Sequence, residues 1–369
     1  MLPLFRVGFR RGIRMSVSSS IRPGLITASR LYSDSVAWTK NKKDEEKKLF
    51  TPGPLGVSKS TKEVMLRDVG SRDAEFIDTV AEIRRSLLRI AGVGEEDYTC
   101  ILLPGSGTYA VESVISSTTP KTNEKVLILA NGSYGKRMGL ITAAHGLTCH
   151  VAHLPEEHRI RLGTVEEILR SSSDWTNVAV VHCETSSGAL NQVNEIGHLV
   201  KKYAPNSSYF VDAMSSFGAI PLDIAASNID FLVSSANKCL EGVPGFSYII
   251  ANKHSLLKCE GWARGLSFDL LSQVKELDKS GQFRFTPPTH SIMAFKQALK
   301  ELEEEGGVEC RAQRYAKNNQ IISEGMHMKG FDELLSSQDK SNIISSFHYP
   351  QHPNFNFQEF YHRLNEKGE

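Results

Sequence analysis

Short apolar runs and longer segments with a helical period alternate along most of the chain. Residues 73–91 carry an apolar side chain at every third or fourth position, which predicts an amphipathic helix. The apolar runs that follow predict strands, and the periodic segments between them predict helices. The predicted strands are 98–103, 125–130, 147–154, 177–182 and the runs beginning at Ser208 and Ile229; the predicted helices are 107–117, 135–145, 165–171 and 193–203.

Repeated strand–helix–strand units of this kind predict an α/β fold, in which helices cover both faces of a mostly parallel sheet. Residues 245–251 form one more apolar run, which we expect to lie antiparallel to its neighbours.

The pattern changes after residue 290, where a second, smaller α/β unit is expected. Its predicted elements are a helix at 291–305, a helix from Glu309 towards Lys329, a strand at 343–349 and a helix at 358–367. We therefore expect a large domain over 49–290, including an N-terminal arm that begins with the Thr51-Pro-Gly-Pro turn, and a small domain over 291–369.

The first 33 residues differ in composition from the rest of the chain. They are rich in arginine and serine and contain no acidic residue, because the first one is Asp34. Such a composition is typical of a mitochondrial transit peptide and predicts a matrix location, although a basic tail without a targeting role is the alternative. Residues 34–48 carry mixed charges and are expected to form a solvated linker.

Composition excludes several classes of function. The formal net charge of the 369 residues is +1, which gives no general affinity for nucleic acid or an anionic membrane. The longest apolar runs are too short to span a bilayer. Six cysteines are present without a C-x-x-C pair, so a metal site or a disulfide framework is not expected.

Lys238 and Asp212 carry the clearest chemical signal. Each follows an apolar run, and the distance between them along the chain is typical of one strand–helix–strand unit. Both can therefore lie at the carboxyl edge of a parallel sheet, where open α/β folds bind ligands. A lysine that forms a Schiff base and an aspartate that pairs with a pyridinium nitrogen are what pyridoxal 5′-phosphate requires. Either residue alone would be interpreted as a surface lysine or a helix cap.

Other strand ends supply weaker signals. The turn Leu103-Pro-Gly-Ser-Gly-Thr108 could bind a phosphate at a helix N-terminus, although glycines in such turns often serve packing alone, and the sequence does not match a nucleotide P-loop. Tyr134 could stack on a planar ring or be a core residue. His182 and Cys183 are better interpreted as buried structural residues than as catalytic ones.

Six segments together resemble the class V pyridoxal-phosphate aminotransferases, and the resemblance covers residues 49–369. The segments are 51–54, 105–108, 212–218, 235–239, 242–246 and 284–290. Within that family they are most similar to the 2-aminoethylphosphonate–pyruvate transaminases. The resemblance implies a fold-type I transferase with a seven-stranded, mostly parallel sheet, a smaller C-terminal domain and a homodimer with shared active sites.

The resemblance also implies roles for individual residues. Lys238 and Asp212 would be catalytic, and both would contact the cofactor. The remaining cofactor-binding residues would be Ser106, Gly107, Thr108, Tyr134, Thr185, Asn237 and, towards the cofactor of a neighbouring subunit, Thr286.

The expected reaction moves the amino group of 2-aminoethylphosphonate to pyruvate, giving phosphonoacetaldehyde and L-alanine in phosphonate catabolism. The alternatives are an alanine– or serine–glyoxylate aminotransferase and a cofactor-binding protein with impaired catalysis. The last is considered because family members carry a carboxylate-binding arginine on strands that would follow residue 369. Arg264 or Arg284 would be the substitute anchor.

Overall fold

The structure, a computed structural model, describes residues 48–172 and 174–367. The predicted leader, 1–33, and all of the predicted linker except Lys48 lie outside the described residues. The predicted boundary between two domains at residue 290 stays a prediction.

A seven-stranded sheet forms the centre of the fold. Its strands, in chain order, are β1 Tyr98–Pro104, β2 Val126–Ala130, β3 Cys149–His153, β4 Asn177–Val181, β5 Ser208–Asp212, β6 Phe231–Ser235 and β7 Phe246–Asn252. Their order across the sheet is β1-β7-β6-β5-β4-β2-β3. All residues of β2, β4 and β6 are buried, as expected when helices cover both faces. The α/β fold predicted from the apolar pattern is therefore confirmed.

Strand β7 lies between β1 and β6 and is antiparallel to both. Only a short turn without a helix joins β6 to β7, and such a connection suits an antiparallel neighbour rather than a parallel one. The antiparallel orientation expected for residues 245–251 is confirmed, and the other neighbouring pairs of the sheet are parallel.

Eleven α-helices surround this sheet in the part of the chain that the structure describes. They are α1 Lys59–Glu63, α2 Ala74–Ile90, α3 Gly107–Thr118, α4 Ser133–Ala144, α5 Leu162–Arg170, α6 Val193–Tyr203, α7 Lys253–Lys258, α8 Leu270–Ser280, α9 Thr289–Glu305, α10 Gly307–His327 and α11 Phe357–Glu366. The apolar stripe predicted along residues 73–91 is buried in α2, including Phe76, Val80, Ile83 and Leu87.

The C-terminal part differs most from the sequence-based expectation. The predicted strand at 343–349 is wrong, because this segment forms only a single bridge between Phe347 and Glu333. No described strand lies beside it to continue a ladder. Helices α1, α7 and α8 were not predicted at all. Helix α11 buries none of its residues, and its Phe357 and Tyr361 are exposed.

No helix among the described residues is both long and apolar enough to cross a membrane.

Candidate active site

The predicted site residues come together at the carboxyl edge of the parallel strands. A cavity of about 150 Å³ lies there between the turns that follow β1, β2, β5 and β6. Seven of the residues predicted from the sequence line it: Ser106, Gly107, Thr108, Tyr134, Asp212, Asn237 and Lys238. The position of this cavity agrees with the rule that open α/β sheets bind ligands beyond the carboxyl ends of their parallel strands.

Lys238 lies in the turn after β6 and is half-buried. Its Nζ donates a hydrogen bond to the carbonyl oxygen of Pro52 at 2.9 Å. Burial lowers the pKa of this amine from its usual value, and the neighbouring Cys239 and Asp212 oppose that shift only in part. A lowered pKa increases the fraction of the neutral amine, which is the nucleophilic form.

Asp212 ends β5 and is only 3% exposed. Its Oδ1 accepts a hydrogen bond from the backbone N–H of Met214 at 2.9 Å. Burial raises the pKa of this carboxyl to about 7; the Met214 hydrogen bond and the charge of Lys238 act in the opposite direction, while the charge of Glu184 raises it further. Asp212 forms no ion pair within the described residues. A buried acid without a paired cation suits a ligand that brings a positive charge.

The turn after β1 forms a narrow backbone cradle at the start of α3. A Cβ atom on Gly107 would lie 2.2 Å from Cε of Met214, so a side chain at this position would require the Met214 side chain to move. The N-cap residue, Ser106, makes no side-chain hydrogen bond to the helix. The first N–H groups of α3 thus donate no hydrogen bond to the Ser106 side chain, and such free donors at a helix N-terminus favour a bound phosphate.

Tyr134 lies at the start of α4, after β2, and forms one wall of the cavity. The guanidinium of Arg137 lies over its ring, 4.5 Å from the ring centre, and Arg137 lines the same cavity. The backbone N–H of Tyr134 donates to Oε1 of Glu184 at 3.1 Å. Sequence reasoning did not single out Arg137 or Glu184. The signal available for Glu184 was an acidic residue three positions after the end of the buried strand β4.

Two predicted residues lie outside the lining of this cavity. Thr185 is buried in the loop after β4, where its Oγ1 lies 2.7 Å from Oγ of Ser215. Thr286 is exposed in the segment before α9. Asn237 does line the cavity, and its carbonyl oxygen accepts a hydrogen bond from the N–H of Leu55 at 3.3 Å.

His182 and Cys183 have the surroundings of structural residues. Burial lowers the pKa of His182 to about 4, and its Nδ1 lies 2.9 Å from Oγ of Ser216. Burial likewise raises the pKa of the Cys183 thiol to about 12, which keeps it protonated and a poor nucleophile.

The two arginines considered as substitute carboxylate anchors are engaged elsewhere. Arg264 donates to the carbonyl oxygens of Thr119 and Pro120 at 2.7 and 2.6 Å. Arg284 donates to the carbonyl oxygen of Leu266 at 2.9 Å. Neither lines the cavity that contains Lys238.

A larger cavity of about 840 Å³ lies at the opposite edge of the sheet, between Trp175, Asp230 and Trp262. None of the predicted site residues lines it. Its position at the amino ends of the parallel strands is not where this class of fold binds its ligand.

A family model described as aminotransferase class V matches residues 58–368. The chain belongs to the class V aminotransferases.

Curated relatives of this class V aminotransferase are similar to it over most of its length. One from Bacteroides fragilis, named 2-aminoethylphosphonate–pyruvate transaminase, is 47% identical over 322 residues, which is 87% of this chain and 88% of the relative. One of the same name from Salmonella paratyphi C is 46% identical over 87% of each chain. Alanine–glyoxylate aminotransferase from Nostoc, a solved structure, has a TM-score of 0.80 at 22% identity, with 91% of this chain and 88% of that chain covered. At that identity the similarity shows the fold alone, and the fold-type I transferase predicted from the sequence is confirmed.

The same relatives correct the predicted location. They are bacterial proteins, from Bacteroides, Salmonella and Clostridioides among others, which conflicts with a mitochondrial location. The prediction of a mitochondrial matrix protein is therefore wrong. An arginine-rich and acid-poor composition describes many basic segments and does not by itself specify import.

Class V aminotransferases use pyridoxal 5′-phosphate, and this chain is a pyridoxal-phosphate-dependent aminotransferase. The residues of the cavity fit that cofactor. Ser106, Gly107 and Thr108 line the cavity at the N-terminus of α3, where a phosphate is favoured, and Asp212 is a buried acid without a paired cation. The amine of Lys238 shares the cavity with both.

Proposed function

We propose that this aminotransferase transfers the amino group of 2-aminoethylphosphonate to pyruvate, giving phosphonoacetaldehyde and L-alanine in phosphonate catabolism. The observation that carries the proposal is the 45–47% identity, over 87% of the chain, to curated relatives whose names state this activity. The likeness to glyoxylate aminotransferases lies at 20–22% identity and supports only the shared fold.

We infer that Lys238 holds pyridoxal phosphate through its Nζ and that the same amine later moves a proton at the carbon that carries the substrate's amino group. When bound, the cofactor withdraws electrons from that carbon. The lowered pKa of Lys238 supports both roles, because only the neutral amine accepts a proton or attacks a carbonyl.

The other cavity residues are proposed to orient the cofactor. Asp212 would pair with the pyridine nitrogen and keep it protonated, since the buried carboxylate is stabilised by a positive partner. Ser106, Gly107 and Thr108 would bind the phosphate at the start of α3. Tyr134 would pack against the ring, and Asn237 and Thr185 would support the site from its sides.

We further propose a homodimer in which Thr286 contributes to the cofactor site of the partner. The exposure of Thr286, outside the cavity of its own chain, supports this arrangement. A mixture of Lys238→Ala and Thr286→Val subunits tests it. Subunit exchange should then create one site with both intact residues, and activity should exceed that of either variant alone. Activity that stays at the sum of the two variants would count against shared sites.

The proposed reaction is tested with purified, cofactor-loaded protein, 2-aminoethylphosphonate and pyruvate. We expect L-alanine and phosphonoacetaldehyde to form in equal amounts, as followed by proton and phosphorus NMR, with Lys238→Ala as the inactive control. Glycine formation from glyoxylate with L-alanine or L-serine, without turnover of the phosphonate, would favour the alternative. Bound cofactor without turnover of any pair would favour the catalytically impaired alternative.

A further inference from the structure

Helix α4 has an unusual N-terminus. Its N-cap residue is Gly132, which has no side chain to bond the first N–H groups of the helix. In a typical capped helix the N-cap side chain accepts a hydrogen bond from the second or third helical residue. In α4 these residues are Tyr134 and Gly135, and their N–H groups donate instead to Oε1 and Oε2 of Glu184, at 3.1 and 3.2 Å.

Glu184 therefore caps α4 from the loop that follows β4. A Cβ atom on Gly132 would lie 2.2 Å from Cγ of Glu184 and 2.6 Å from Oγ of Ser186. The cap from the neighbouring loop thus takes the space that a local cap would need. The backbone of Gly132 is extended, with φ at 178°, a conformation that any residue can adopt.

The carboxylate of Glu184 is fully buried, with 0% exposure. It also accepts hydrogen bonds from the N–H and the hydroxyl of Ser186, at 3.2 and 2.7 Å. The Ser186 hydroxyl in turn accepts the N–H of Ser133 at 3.0 Å. Glu184 has no ion pair within the described residues, so these donors and the positive end of the α4 dipole stabilise its charge.

The same contacts connect the Tyr134 wall of the cofactor cavity to the buried loop that carries Thr185. Tyr134, whose backbone is held by Glu184, lines the cavity. Thr185 follows Glu184 directly. Its hydroxyl contacts the hydroxyl of Ser215, which comes three residues after Asp212 in the chain. A displacement of the Glu184 loop would therefore move the Tyr134 wall and the Thr185 hydroxyl together.

We propose that Glu184 is a positioning residue of the active site, whose carboxylate caps α4 from the neighbouring loop and holds Tyr134 at the wall of the cofactor cavity. The proposal concerns the cofactor cavity and does not depend on which amino donor the enzyme uses.

The charges around Asp212 give this proposal an electrostatic consequence. The charge of Glu184 raises the pKa of Asp212, whereas the Met214 N–H, Lys238 and Arg137 lower it. Without the negative charge of Glu184, Asp212 should release its proton at lower pH. This effect separates Glu184 from a residue that only supports the fold.

The test uses three variants, Glu184→Ala, Glu184→Gln and the double variant Glu184→Ala/Gly132→Ser. The double variant supplies a serine at the N-cap of α4 once the Glu184 side chain has vacated that space, and the Ser186 hydroxyl can rotate away. The exposed Glu157, changed to Ala and Gln, is the matched control. For each protein, the dissociation constant of pyridoxal phosphate is measured by fluorescence titration. The titration of Asp212 is followed by carbon NMR of labelled carboxyls in the cofactor-free protein, and Asp212→Asn identifies the signal.

We expect Glu184→Ala to weaken cofactor binding about five- to tenfold, the effect of a lost helix cap. The double variant should recover most of that loss, because serine restores the cap. The titration midpoint of Asp212 should stay lowered in all three variants, because none restores the charge. If Glu184→Ala does not fold, Glu184→Gln and the double variant provide the same comparison.

Three outcomes would overturn the proposal. One is cofactor affinity in Glu184→Ala equal to that of the Glu157 controls. Another is a folded double variant that recovers no affinity. The third is a titration of Asp212 that Glu184→Gln leaves unchanged.

Discussion

The amine of Lys238 donates a hydrogen bond to the carbonyl oxygen of Pro52 at 2.9 Å, so the N-terminal arm lies directly against the lysine of the active site. Gly53, the next residue of the arm, is just as close: a Cβ atom there would lie 2.6 Å from both Cδ and Nζ of Lys238. The arm also bonds the turn of the lysine through the N–H of Leu55 and the carbonyl of Asn237. Residues at the start of the described chain therefore help to orient the lysine that we propose as catalytic.

We expect Gly53→Ala to reduce kcat/KM about tenfold or more. The new methyl group would displace the Lys238 side chain, and φ of Gly53 is +143°, a backbone conformation that costs a residue with a side chain roughly 1–3 kcal/mol. Gly56→Ala is the matched control, because a Cβ atom on Gly56 would meet no atom within 4 Å. Steady-state kinetics of the two variants give the comparison. Equal losses would mean that the contact between Gly53 and Lys238 has no effect on the reaction.

Lys238 should carry the covalently bound cofactor. Reduction of the loaded enzyme with borohydride, followed by proteolysis and mass spectrometry, should find the pyridoxyl group on the peptide that contains Lys238. Lys238→Ala should yield no labelled peptide, whereas Lys300→Ala, an exposed position on α9, should be labelled as in the parent protein. A label on a different lysine would contradict the assignment.

The stability of the cofactor-free protein should depend on pH through Asp212. Burial raises the pKa of this carboxyl from 3.8 to about 7, so between these pH values the folded chain holds a proton that the unfolded chain has released. The Asp212 contribution to stability is therefore lost as pH rises through about 7. The Asp212→Asn variant lacks this loss. The difference in free energy of unfolding, variant minus parent, should therefore rise by roughly 4 kcal/mol between pH 4 and 8.

Urea unfolding at a series of pH values measures this difference. His182 acts in the opposite direction, since burial lowers its pKa from 6.5 to about 4 and its contribution is lost as pH falls. Both proteins contain His182, so the difference between them isolates Asp212. A difference that does not change with pH would show that Asp212 ionises as easily in the folded chain as in the unfolded one.

Arg311 should be important for stability. Its side chain is only 2% exposed, pairs with Glu305 at 2.7 Å and donates to the carbonyl of Cys239, the residue after Lys238, at 2.9 Å. Removing one member of a buried ion pair costs about 3 kcal/mol or more, so Arg311→Ala should lower the urea midpoint strongly. Arg314 pairs with the same Glu305 but is 41% exposed, and Arg314→Ala should cost about 1 kcal/mol or less. Similar losses in the two variants would contradict this account.

The sequence predicted the sheet well because its strands are buried on both faces and appear as continuous apolar runs. It failed at residues 343–349, where the apolar content is similar but the structure offers no neighbouring strand to pair with. Propensity describes one segment at a time, whereas a strand also needs a partner.

Within the cavity, the residues found from the sequence are those at strand ends, such as Lys238, Asp212 and Ser106. Those missed act through contacts between segments that lie far apart in the chain. Glu184 reaches α4 only because β4 lies beside β2 in the sheet. Pro52 contacts Lys238 only once the N-terminal arm has folded against the turn after β6. No local pattern contains that information.

Within the described residues, strand β1 pairs with β7 alone, which is the last strand of the sheet along the chain. The N–H of Gly105, in the turn of the phosphate cradle, likewise donates to the carbonyl of Gly245 at 3.0 Å. During translation, β1 and the turn of Gly105 are synthesised early. Their partner strand β7 is synthesised more than a hundred residues later. Pairing across such a sequence separation is slow and exposes an unpaired strand edge in the meantime. Strand β1 and the turn of Gly105 therefore reach their folded pairing only after translation has passed Asn252.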